Sequence, residues 1–315
     1  MEKRSDYKVL VLGGSGLLGF HCAQVLSTFY DVIQTYNEHP VNEENSVHFS
    51  VSSNQDRLLE ILTKYRPSAL VNTVGFVTVD GCETNPMIAK NLNSSFVSDL
   101  VTSMQKIGLE ESHLIQISTA GVYGNRNGEP KPWKETDITN PLSVYAETKL
   151  EGETNAITHN GPVSILRTDF YGINPLSEKS LLWWIIKHAV TGKVMQGWEN
   201  IYFSPVSAWT LSLIIRQILQ TKVEGVFNVG CKDTCNKYAF AEEVCKLIGI
   251  RGKVRKSKLL QDQKSIRPDY TVLNSSKLNS SVELDFSWKQ DLKSYIKNMP
   301  AFPNTELVIK QDKIK

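Results

Sequence analysis

A short apolar run followed by three evenly spaced glycines is the feature that most constrains this chain. Residues 9–12 read Val-Leu-Val-Leu, and Gly13, Gly16 and Gly19 follow at once. An apolar run that is ended by glycine is typical of a buried parallel strand. Apolar residues then recur at helical intervals, which predicts that the glycines open a helix: Leu18, Cys22, Val25 and Phe29. Backbone amides and the helix dipole favour an anion at such a turn, so the stretch predicts a dinucleotide site. The alternative is a tight turn without a ligand.

Strands and helices alternate along the rest of the first half of the chain. Further strands are predicted at residues 31–36, 47–51, 68–74, 114–118 and 163–167. A helix is predicted from about Pro86 to Gly108, with these apolar residues on its inner face: Ile88, Leu92, Leu100, Met104 and Ile107. Such alternation predicts an α/β fold, a Rossmann-type doubly wound parallel sheet. Less regular patterns follow, and they predict a smaller C-terminal substrate-binding lobe.

The predicted boundaries divide the chain after residue 170. Residues 1–170 form the nucleotide-binding domain, to which about 206–230 returns, and 171–305 form the smaller, discontinuous lobe. Residues 306–315 are predicted to be a peripheral tail. The bulky apolar run Leu181–Ile186 favours a core or dimer helix, with a wall of the substrate pocket as the alternative.

The ends of the second and fourth strands lie where open α/β sheets bind ligands. Val74 and Gly75 end the fourth strand, and Tyr36 and Asn37 end the second. An acidic residue for the ribose hydroxyls is expected at the second position when NAD is the cofactor, and Tyr36 replaces it. Since no arginine stands there for a 2′-phosphate, the preference is a slight one for NADP(H) over NAD(H). Glu38 is a displaced ribose ligand or a polar turn residue.

A hydroxyl side chain, a tyrosine and a lysine follow in an order that suggests a catalytic set. The fifth strand ends in Ser118 and Thr119, and a helix beginning near Ser143 carries Tyr145 and Lys149. Residues four apart on a helix share one face, about 5–6 Å between Cβ atoms. The motif is weak alone, because a buried tyrosine, a surface lysine and a strand-end threonine are the alternatives.

These motifs together resemble the extended short-chain dehydrogenases/reductases. The carriers of the resemblance are GGSGLLG at 13–19, STAGVYG at 118–124 and YAETK at 145–149. Within the family, the chain resembles the branch that contains dTDP-4-dehydrorhamnose reductase and the regulatory beta subunit of methionine adenosyltransferase. The later segments LRTDFYG, SPVSA and RPDYTVLNSSKL resemble landmarks of that branch.

The resemblance implies the roles of individual residues. It makes Tyr145 the general acid, Lys149 a ribose ligand that lowers the pKa of Tyr145, and Thr119 a hydrogen-bond donor to the substrate oxygen. It gives the substrate two further contacts, Phe170 and Arg267. The implied cofactor-binding set is Gly13, Ser15, Gly16, Leu17, Leu18, Gly19, Tyr36, Asn37, Val74, Gly75, Tyr145 and Lys149.

Two departures from the branch concern the substrate. The reductases usually read Ser-Thr-Asp-Tyr-Val-Phe where residues 118–123 read Ser-Thr-Ala-Gly-Val-Tyr, which is closer to the epimerase form. The tryptophan of their Arg-Thr-Ser-Trp segment is missing, and Asp169 and Phe170 stand in its neighbourhood.

Three functions are consistent with the motifs. The first is an NAD(P)H-dependent reductase of a nucleotide-linked 4-keto-deoxysugar, and the second is a nucleotide-sugar epimerase with the same three residues. The third is a regulatory subunit that binds a nucleotide without turnover. An acid pair for 4,6-elimination is missing at Ala120 and Gly121, which disfavours a dehydratase.

Composition excludes several other classes. A net charge of +2 with scattered lysines gives no field for nucleic acid, and the longest apolar run is too short to cross a membrane. The five dispersed cysteines complete no metal set and favour reduced thiols in a cytoplasmic protein. The expected partner is a nucleotide sugar, with a homodimer as a possible assembly.

Overall fold

The structure is a computed structural model, and it describes residues 4–40, 44–51, 55–125, 130–260, 266–283 and 285–298. Its first half contains β1 (Arg4–Leu12), α1 (Leu17–Ser27), β2 (Tyr30–Tyr36), β3 (Ser46–His48), α2 (Gln55–Tyr65), β4 (Ala69–Asn72), α3 (Val79–Thr84), α4 (Pro86–Lys90), α5 (Phe96–Lys106), β5 (His113–Thr119), α6 (Val144–Ile157) and β6 (Val163–Thr168). A π turn (Asn91–Ser95) joins α4 to α5, and a 3₁₀ turn (Ala120–Tyr123) follows β5.

The second half has shorter strands. It contains β7 (Phe170–Tyr171), α7 (Leu181–Val190), β8 (Val194–Trp198), β9 (Tyr202–Phe203), β10 (Val206–Ser207), α8 (Ala208–Thr221), β11 (Gly225–Val229), β12 (Cys235–Asn236), α9 (Lys237–Leu247), β13 (Lys253–Ser257), β14 (Tyr270–Thr271), α10 (Ser276–Asn279) and α11 (Trp288–Lys297).

A seven-stranded parallel sheet organises the first half. Its order is β11-β6-β5-β4-β1-β2-β3, so the chain winds outward in both directions from the crossover between β1 and β4. Successive residues of β1 point to opposite faces: Val9 and Val11 pack with α1 and α8, whereas Leu10 and Leu12 pack with α2 and α5. The predicted α/β doubly wound sheet is therefore confirmed, and the carboxyl ends of its strands form one edge.

The smaller lobe has a core of its own. Helices α7, α9 and α11 pack around Tyr171, Phe203 and Phe240. Two small sheets, β12-β9-β14 and β13-β8, complete the lobe. Leu182, Trp183, Ile185 and Ile186 are buried in this core, which agrees with the interpretation of Leu181–Ile186 as a core helix.

The helix predicted over residues 86–108 differs from the prediction in its middle. The π turn adds a residue to the turn and rotates the helix face, so Asn93 and Ser94 are buried while Ile88 is exposed. The prediction that Ile88 lines the inner face is wrong for this reason. The third strand is also shorter than predicted, ending at His48.

Other predictions fall on residues with no described structure, or remain untested. The end of the smaller lobe at 305 and the tail 306–315 lie outside the described residues, and the boundary at 170 stays a prediction. Within the described part of the chain, no helix has both the length and the apolar character needed to cross a bilayer. All five cysteines are unpaired and buried.

Candidate active site

The glycine loop is fixed to the second strand by its backbone. Gly13 has φ +81°, a conformation that side chains rarely adopt, and its amide donates to the Oγ1 of Thr35 at 3.0 Å. The amide of Gly14 donates to the carbonyl of Thr35 at 2.7 Å. The end of β2 therefore holds the turn between β1 and α1 in place.

The structure separates Gly16 and Gly19, which the sequence predicts to act alike. A Cβ atom on Gly19 would lie 2.1 Å from the carbonyl oxygen of Gly13, so the loop itself could not keep its shape. A Cβ atom on Gly16 would lie 3.1 Å from the same oxygen, and Gly16 is exposed. Gly19 thus serves the packing of helix on strand, whereas Gly16 leaves room in front of the loop.

Helix α1 begins without a side-chain cap. Its N-cap is Gly16, no side chain accepts from the first turn, and that turn contains no acidic residue. Five other helices, α6, α7, α8, α9 and α11, each begin at a Ser or Asn whose side chain accepts a backbone hydrogen bond. The amides at the start of α1 are available to an anion, and the residues present fit a pyrophosphate.

Residues that follow β7 also contact the glycine loop. Asn174 donates through Nδ2 to the carbonyl of Ser15 at 2.7 Å. A Cβ atom on Gly172 would lie 3.2 Å from Cδ1 of Leu17, so the chain after β7 passes close to the loop. The side chain of Leu18 is buried in the sheet core, which leaves its backbone as its only contact with a ligand. No local sequence pattern identifies Asn174, which contacts Ser15 across 159 residues of chain.

The end of β2 presents polar and aromatic groups. Tyr36 packs edge-on against His48, with ring centroids 5.6 Å apart. Asn37 and Glu38 are exposed, and Glu38 lies 4.0 Å from His39. Tyr36 and Asn37 thus lie at the sheet edge beside the glycine loop, as expected for residues near a ribose.

An asparagine that the sequence analysis missed organises the end of β4. The Oδ1 of Asn93 accepts from the amide of Phe76 at 2.8 Å, and its Nδ2 donates to the carbonyl of Phe76 at 3.1 Å. The same Nδ2 lies 3.1 Å from the hydroxyl of Thr148 on α6. A Cβ atom on Gly75 would be 3.0 Å from Oδ1 of Asn93 and 3.9 Å from Nζ of Lys149. The π turn thereby joins Val74 and Gly75 to the helix that carries Tyr145.

Thr119, Tyr145 and Lys149 converge at the carboxyl edge of the sheet. Ser143 caps α6 by accepting from the amide of Ala146 at 3.3 Å, which fixes the start of the helix and puts Tyr145 in its first turn. Thr119 accepts from the amide of Gly121 at 3.1 Å, and its side chain also hydrogen-bonds to Tyr145. The Nζ of Lys149 donates to the carbonyl of Ile117 at 2.5 Å. The predicted triad is thus assembled in space, while its catalytic roles stay predictions.

Burial sets the protonation of these groups. It raises the pKa of Tyr145, and the hydrogen bond from Thr119 offsets this only in part, while Asp169 and Cys82 raise the pKa further. Burial lowers the pKa of Lys149 to about 8, although Glu153 opposes the change. The pKa of Tyr145 is therefore raised rather than lowered, because desolvation of the phenol is the largest effect, and the expected contribution of Lys149 stays a prediction.

The two predicted substrate contacts, Phe170 and Arg267, have different surroundings. Phe170 is half-buried in β7 and packs against the core of the large sheet. Arg267 donates through Nη2 to Oδ1 of Asp80 at 2.7 Å, which joins the segment before β14 to α3. Asp169 lies between β6 and β7, next to Thr168, which pairs in register with Thr119.

A buried network lies directly behind the triad. Arg167 binds both carboxylate oxygens of Glu153, at 2.7 Å from Nη2 to Oε2 and 3.0 Å from Nε to Oε1. It also donates through Nη1 to the hydroxyl of Tyr123 at 2.9 Å, and Ser118 donates to Glu153 at 2.5 Å. Burial would lower the pKa of Arg167, but Glu153 and Tyr123 raise it above its usual value. Among the described residues, no group of three or more potential metal ligands is found.

Two relatives match most of the chain. A probable low-salt glycan biosynthesis reductase of Haloferax volcanii is 24% identical over 279 residues, which is 86% of this chain and 91% of that protein. The bovine methionine adenosyltransferase 2 subunit beta is 26% identical, over 74% of this chain and 70% of that protein.

Solved structures agree with the fold over nearly the whole chain. A dTDP-4-dehydrorhamnose reductase from Clostridium acetobutylicum is 26% identical with a TM-score of 0.78, covering 92% of this chain and 98% of its own. A dTDP-4-dehydrorhamnose reductase from Bacillus anthracis, in complex with NADP, has a TM-score of 0.80 at 19% identity, with the same coverage, and shares the fold.

The family model described as the RmlD substrate binding domain matches residues 7–300. That match spans the glycine loop, the Thr-Tyr-Lys set and the smaller lobe. The chain therefore belongs to the RmlD substrate binding domain family of extended short-chain dehydrogenases/reductases, as its motifs predicted.

Proposed function

We propose that this protein is an NAD(P)H-dependent reductase of a nucleotide-linked 4-keto-deoxysugar, similar to dTDP-4-dehydrorhamnose reductase. The observation that carries the proposal is the convergence of Thr119, Tyr145 and Lys149 beside the uncapped start of α1. Reduction of a carbonyl requires a hydride donor and a proton donor. The glycine loop, which would hold the cofactor, and the triad, which would supply the proton, lie at the same edge of the sheet. The reductases among its relatives and structural neighbours support the same activity.

The glycine loop would hold the pyrophosphate of the cofactor, and Tyr36 and Asn37 would face its adenosine ribose. Val74, Gly75 and Lys149 would line the path toward the reacting end. When bound there, the nicotinamide supplies the hydride. The fit of the loop, together with the NADP in the Bacillus anthracis structure, supports NAD(P), with the slight preference for NADP(H) resting on Tyr36.

Tyr145 would act as the acid. Its raised pKa keeps the phenol protonated at neutral pH, so the proton that the sugar oxygen needs would be present. The carbonyl carbon gains the hydride, the oxygen gains the phenolic proton, and an alcohol results. Thr119 would donate a hydrogen bond to the same oxygen and orient the carbonyl. Lys149, charged below its pKa of about 8, would stabilise the phenolate that remains.

The substrate would enter between the sheet edge and the smaller lobe. Phe170 would contribute an apolar surface to the sugar. Arg267 would bind the phosphates of the nucleotide, and its bond to Asp80 would then be exchanged for one to the ligand. The proposed partner is therefore a nucleotide sugar. The homodimer remains a prediction that light scattering can test, and the cytoplasmic location remains a prediction as well.

A substrate panel tests the proposal. dTDP-4-dehydrorhamnose and related 4-keto nucleotide sugars are offered with NADPH and with NADH, and loss of absorbance at the nicotinamide band is followed. We expect turnover with at least one sugar and faster reduction with NADPH. A strong preference for NADH that is lost in Glu38→Ala would instead identify Glu38 as the ribose ligand.

Gel filtration of the purified protein separates the alternatives. A reductase exchanges its cofactor and should elute largely free of it, whereas an epimerase should retain NAD. A regulatory subunit would bind the nucleotide and reduce no sugar in the panel. Interconversion of two nucleotide sugars without net oxidation of NADPH would overturn the reductase in favour of the epimerase.

The loop itself is tested by Gly16→Val. The valine side chain would fill the space in front of α1, so cofactor affinity should fall by at least 10²-fold while the circular dichroism spectrum stays unchanged. Gly19→Ala is the contrasting variant, because its Cβ would press on the Gly13 carbonyl and should lower the thermal midpoint as well. Undiminished NADPH binding in folded Gly16→Val would show that the loop serves packing alone.

A further inference from the structure

Two oppositely charged side chains near the triad have no place in the reduction described above. Asp169 directly follows β6, one residue beyond the Thr168 that pairs with Thr119. Lys237 is the first residue of α9 in the smaller lobe. Both are half-buried, so a ligand held between the sheet edge and the smaller lobe can reach them.

The smaller lobe fixes the position of Asp169. Its Oδ2 accepts from the hydroxyl of Thr271 at 2.5 Å, and its carbonyl accepts from the amide of Val206 at 3.2 Å. Among the described residues, Oδ1 of Asp169 has no hydrogen-bond partner. One carboxylate oxygen is thus anchored and the other is available.

Lys237 reaches the same region from the other side. Its amide donates to the carbonyl of Ile201 at 3.1 Å, and its Nζ lies 3.3 Å above the ring of Phe203. Phe203 pairs in register with Thr271, the residue that holds Asp169. Within the described part of the chain, no oxygen accepts a hydrogen bond from this Nζ, and no direct ion pair joins it to Asp169.

The two charges nevertheless act on each other and on the acid. Lys237 lowers the pKa of Asp169 against the larger effect of burial, and Asp169 raises the pKa of Lys237 in the same way. The charge of Asp169 also raises the pKa of Tyr145. Asp169 also follows Thr168, which pairs in register with Thr119, so its carboxylate lies at the same end of the sheet as the triad.

A hydroxyl group matches this pair. An ionised carboxylate only accepts hydrogen bonds and an ammonium only donates them, whereas a hydroxyl does both. We propose that Asp169 and Lys237 are specificity-determining residues that select a sugar carrying a hydroxyl on the carbon next to the reacting carbonyl. The hydroxyl would donate to Asp169 and accept from Lys237. This inference rests on the proposed reductase function and names the feature of the substrate that it reads.

The test compares dTDP-4-dehydrorhamnose with its 3-deoxy analogue. A site built to bond a hydroxyl rejects a ligand without it, because its charged groups lose their partner, so the wild-type ratio of kcat/KM should be on the order of 10² or more. Asp169→Ser places there the residue of the related reductases and should bring the ratio below about tenfold. Asp285→Asn, an exposed carboxylate of the same lobe, is the matched control and should keep the wild-type ratio.

Two further variants keep the test informative if Asp169→Ser folds poorly. Lys237→Met should also lower the ratio, and Thr271→Val, which removes the hydrogen bond that anchors Asp169, should lower it less than Asp169→Ser does. A ratio that is the same in wild type, Asp169→Ser and Lys237→Met would overturn the inference and leave the reductase function intact.

A binding measurement separates the proposed selection of the hydroxyl from the proposed reductase activity. Calorimetry with dTDP-rhamnose and its 3-deoxy analogue needs no turnover. If the wild type reduces neither keto sugar, the proposed function fails, yet tighter binding of the hydroxylated sugar that depends on Asp169 would still support the inference. Equal binding of the two sugars, or no binding of either, would overturn it.

Discussion

Two buried cations lie near the end of β5, and their charges are neutralised to very different extents. Arg167 is bonded to both oxygens of Glu153 and to Tyr123, and its pKa is raised. Lys149 donates to one backbone carbonyl, and burial lowers its pKa to about 8. Each side chain is almost fully enclosed, with 6% and 4% exposure respectively. Burial alone therefore does not distinguish them.

The difference is in how completely each charge is neutralised. A charge with a bidentate partner and a second acceptor belongs to the architecture, and its removal leaves the partner uncompensated. A buried lysine whose pKa is lowered toward neutral pH carries a charge that destabilises the folded chain. Ionisable groups with such shifted pKa values cluster at sites of chemistry. Arg167 therefore supports the sheet edge, whereas Lys149 is expected to belong to the proposed site in front of it.

The largest effect is expected on the functional side, in Tyr145→Phe. The variant keeps the ring and removes the proton donor, so turnover should fall by on the order of 10²- to 10⁴-fold with cofactor affinity little changed. Steady-state kinetics with the sugar identified by the panel, together with NADPH titration, measure the two quantities. Near-normal turnover would remove Tyr145 as the acid and would favour a function that does not use the triad.

Arg167→Met tests the structural side. It leaves Glu153 buried without its bidentate partner, so the free energy of unfolding should fall by about 3–5 kcal/mol in urea denaturation. Arg57→Met is the matched control, because its pair with Glu60 is exposed and should contribute at most about 1 kcal/mol. Equal losses in the two variants would mean that the network behind the triad adds nothing beyond a surface pair.

Lys149→Met should act in the opposite direction on stability. The pKa of Lys149 is about 8 in the folded chain against 10.5 ordinarily, so between these pH values the unfolded chain binds the extra proton. The contribution of Lys149 to the free energy of unfolding therefore rises as the pH increases from about 8 to 10.5, and it is most unfavourable below pH 8. Replacing it should raise the thermal midpoint by about 2–5 °C at pH 7. The gain should be absent by pH 10.5.

The same Lys149→Met variant should bind NADPH more weakly and turn over more slowly, since a ribose ligand and the positive charge beside Tyr145 are both lost. Thermal scans at pH 7 and above pH 10, with NADPH titrations, complete the measurement. A lower midpoint at pH 7 would place Lys149 with Arg167 among the structural cations.

Thr119→Ala should give the smallest effect. It removes one hydrogen bond to the substrate oxygen and one to Tyr145, and Ser118 or water can replace part of this, so kcat should fall by about tenfold or less. The loss of the bond to Thr119 should also raise the pKa of Tyr145 further, shifting the oxidative pH profile upward. An unchanged pH profile would separate Thr119 from the acid.

The parts that could be read from the sequence depend on local patterns. The end of β1, the glycine turn and the start of α6 involve residues close in the chain, and the structure has β1 ending at Leu12 and α6 beginning at Val144, within a residue of the prediction. The start of β1 differs, because the strand begins at Arg4 rather than Val9. Tyr145 and Lys149 share a helix face for the same reason. Their convergence with Thr119 followed from strands ending at a common edge.

The parts that could not be read are long-range. Asn174 reaches Ser15 across 159 residues, and Thr271 reaches Asp169 across 102, so no local periodicity reports either contact. The small sheet β12-β9-β14 consists of two-residue strands, which are too short to show alternation. Asn93 is visible in the sequence only as a polar residue within an apolar helical pattern. Its contact with Phe76 could not be predicted without the π turn.

That π turn sets a limit on how the chain length of this region can change. Ordinary helical winding of the same five residues, Asn91–Ser95, would turn α4 by about 100° relative to α5, because each residue of an α-helix advances about 100° and the π turn holds one residue more. Asn93 could not then hold both backbone groups of Phe76 while Leu100 and Met104 kept their places in the core. A single-residue deletion here would keep α4 and α5 in phase only by removing the bulge that places Asn93 against Phe76, so we expect it to be less tolerated than substitutions at the exposed positions of α4. The helix tolerates a change of side chain more readily than a change of register.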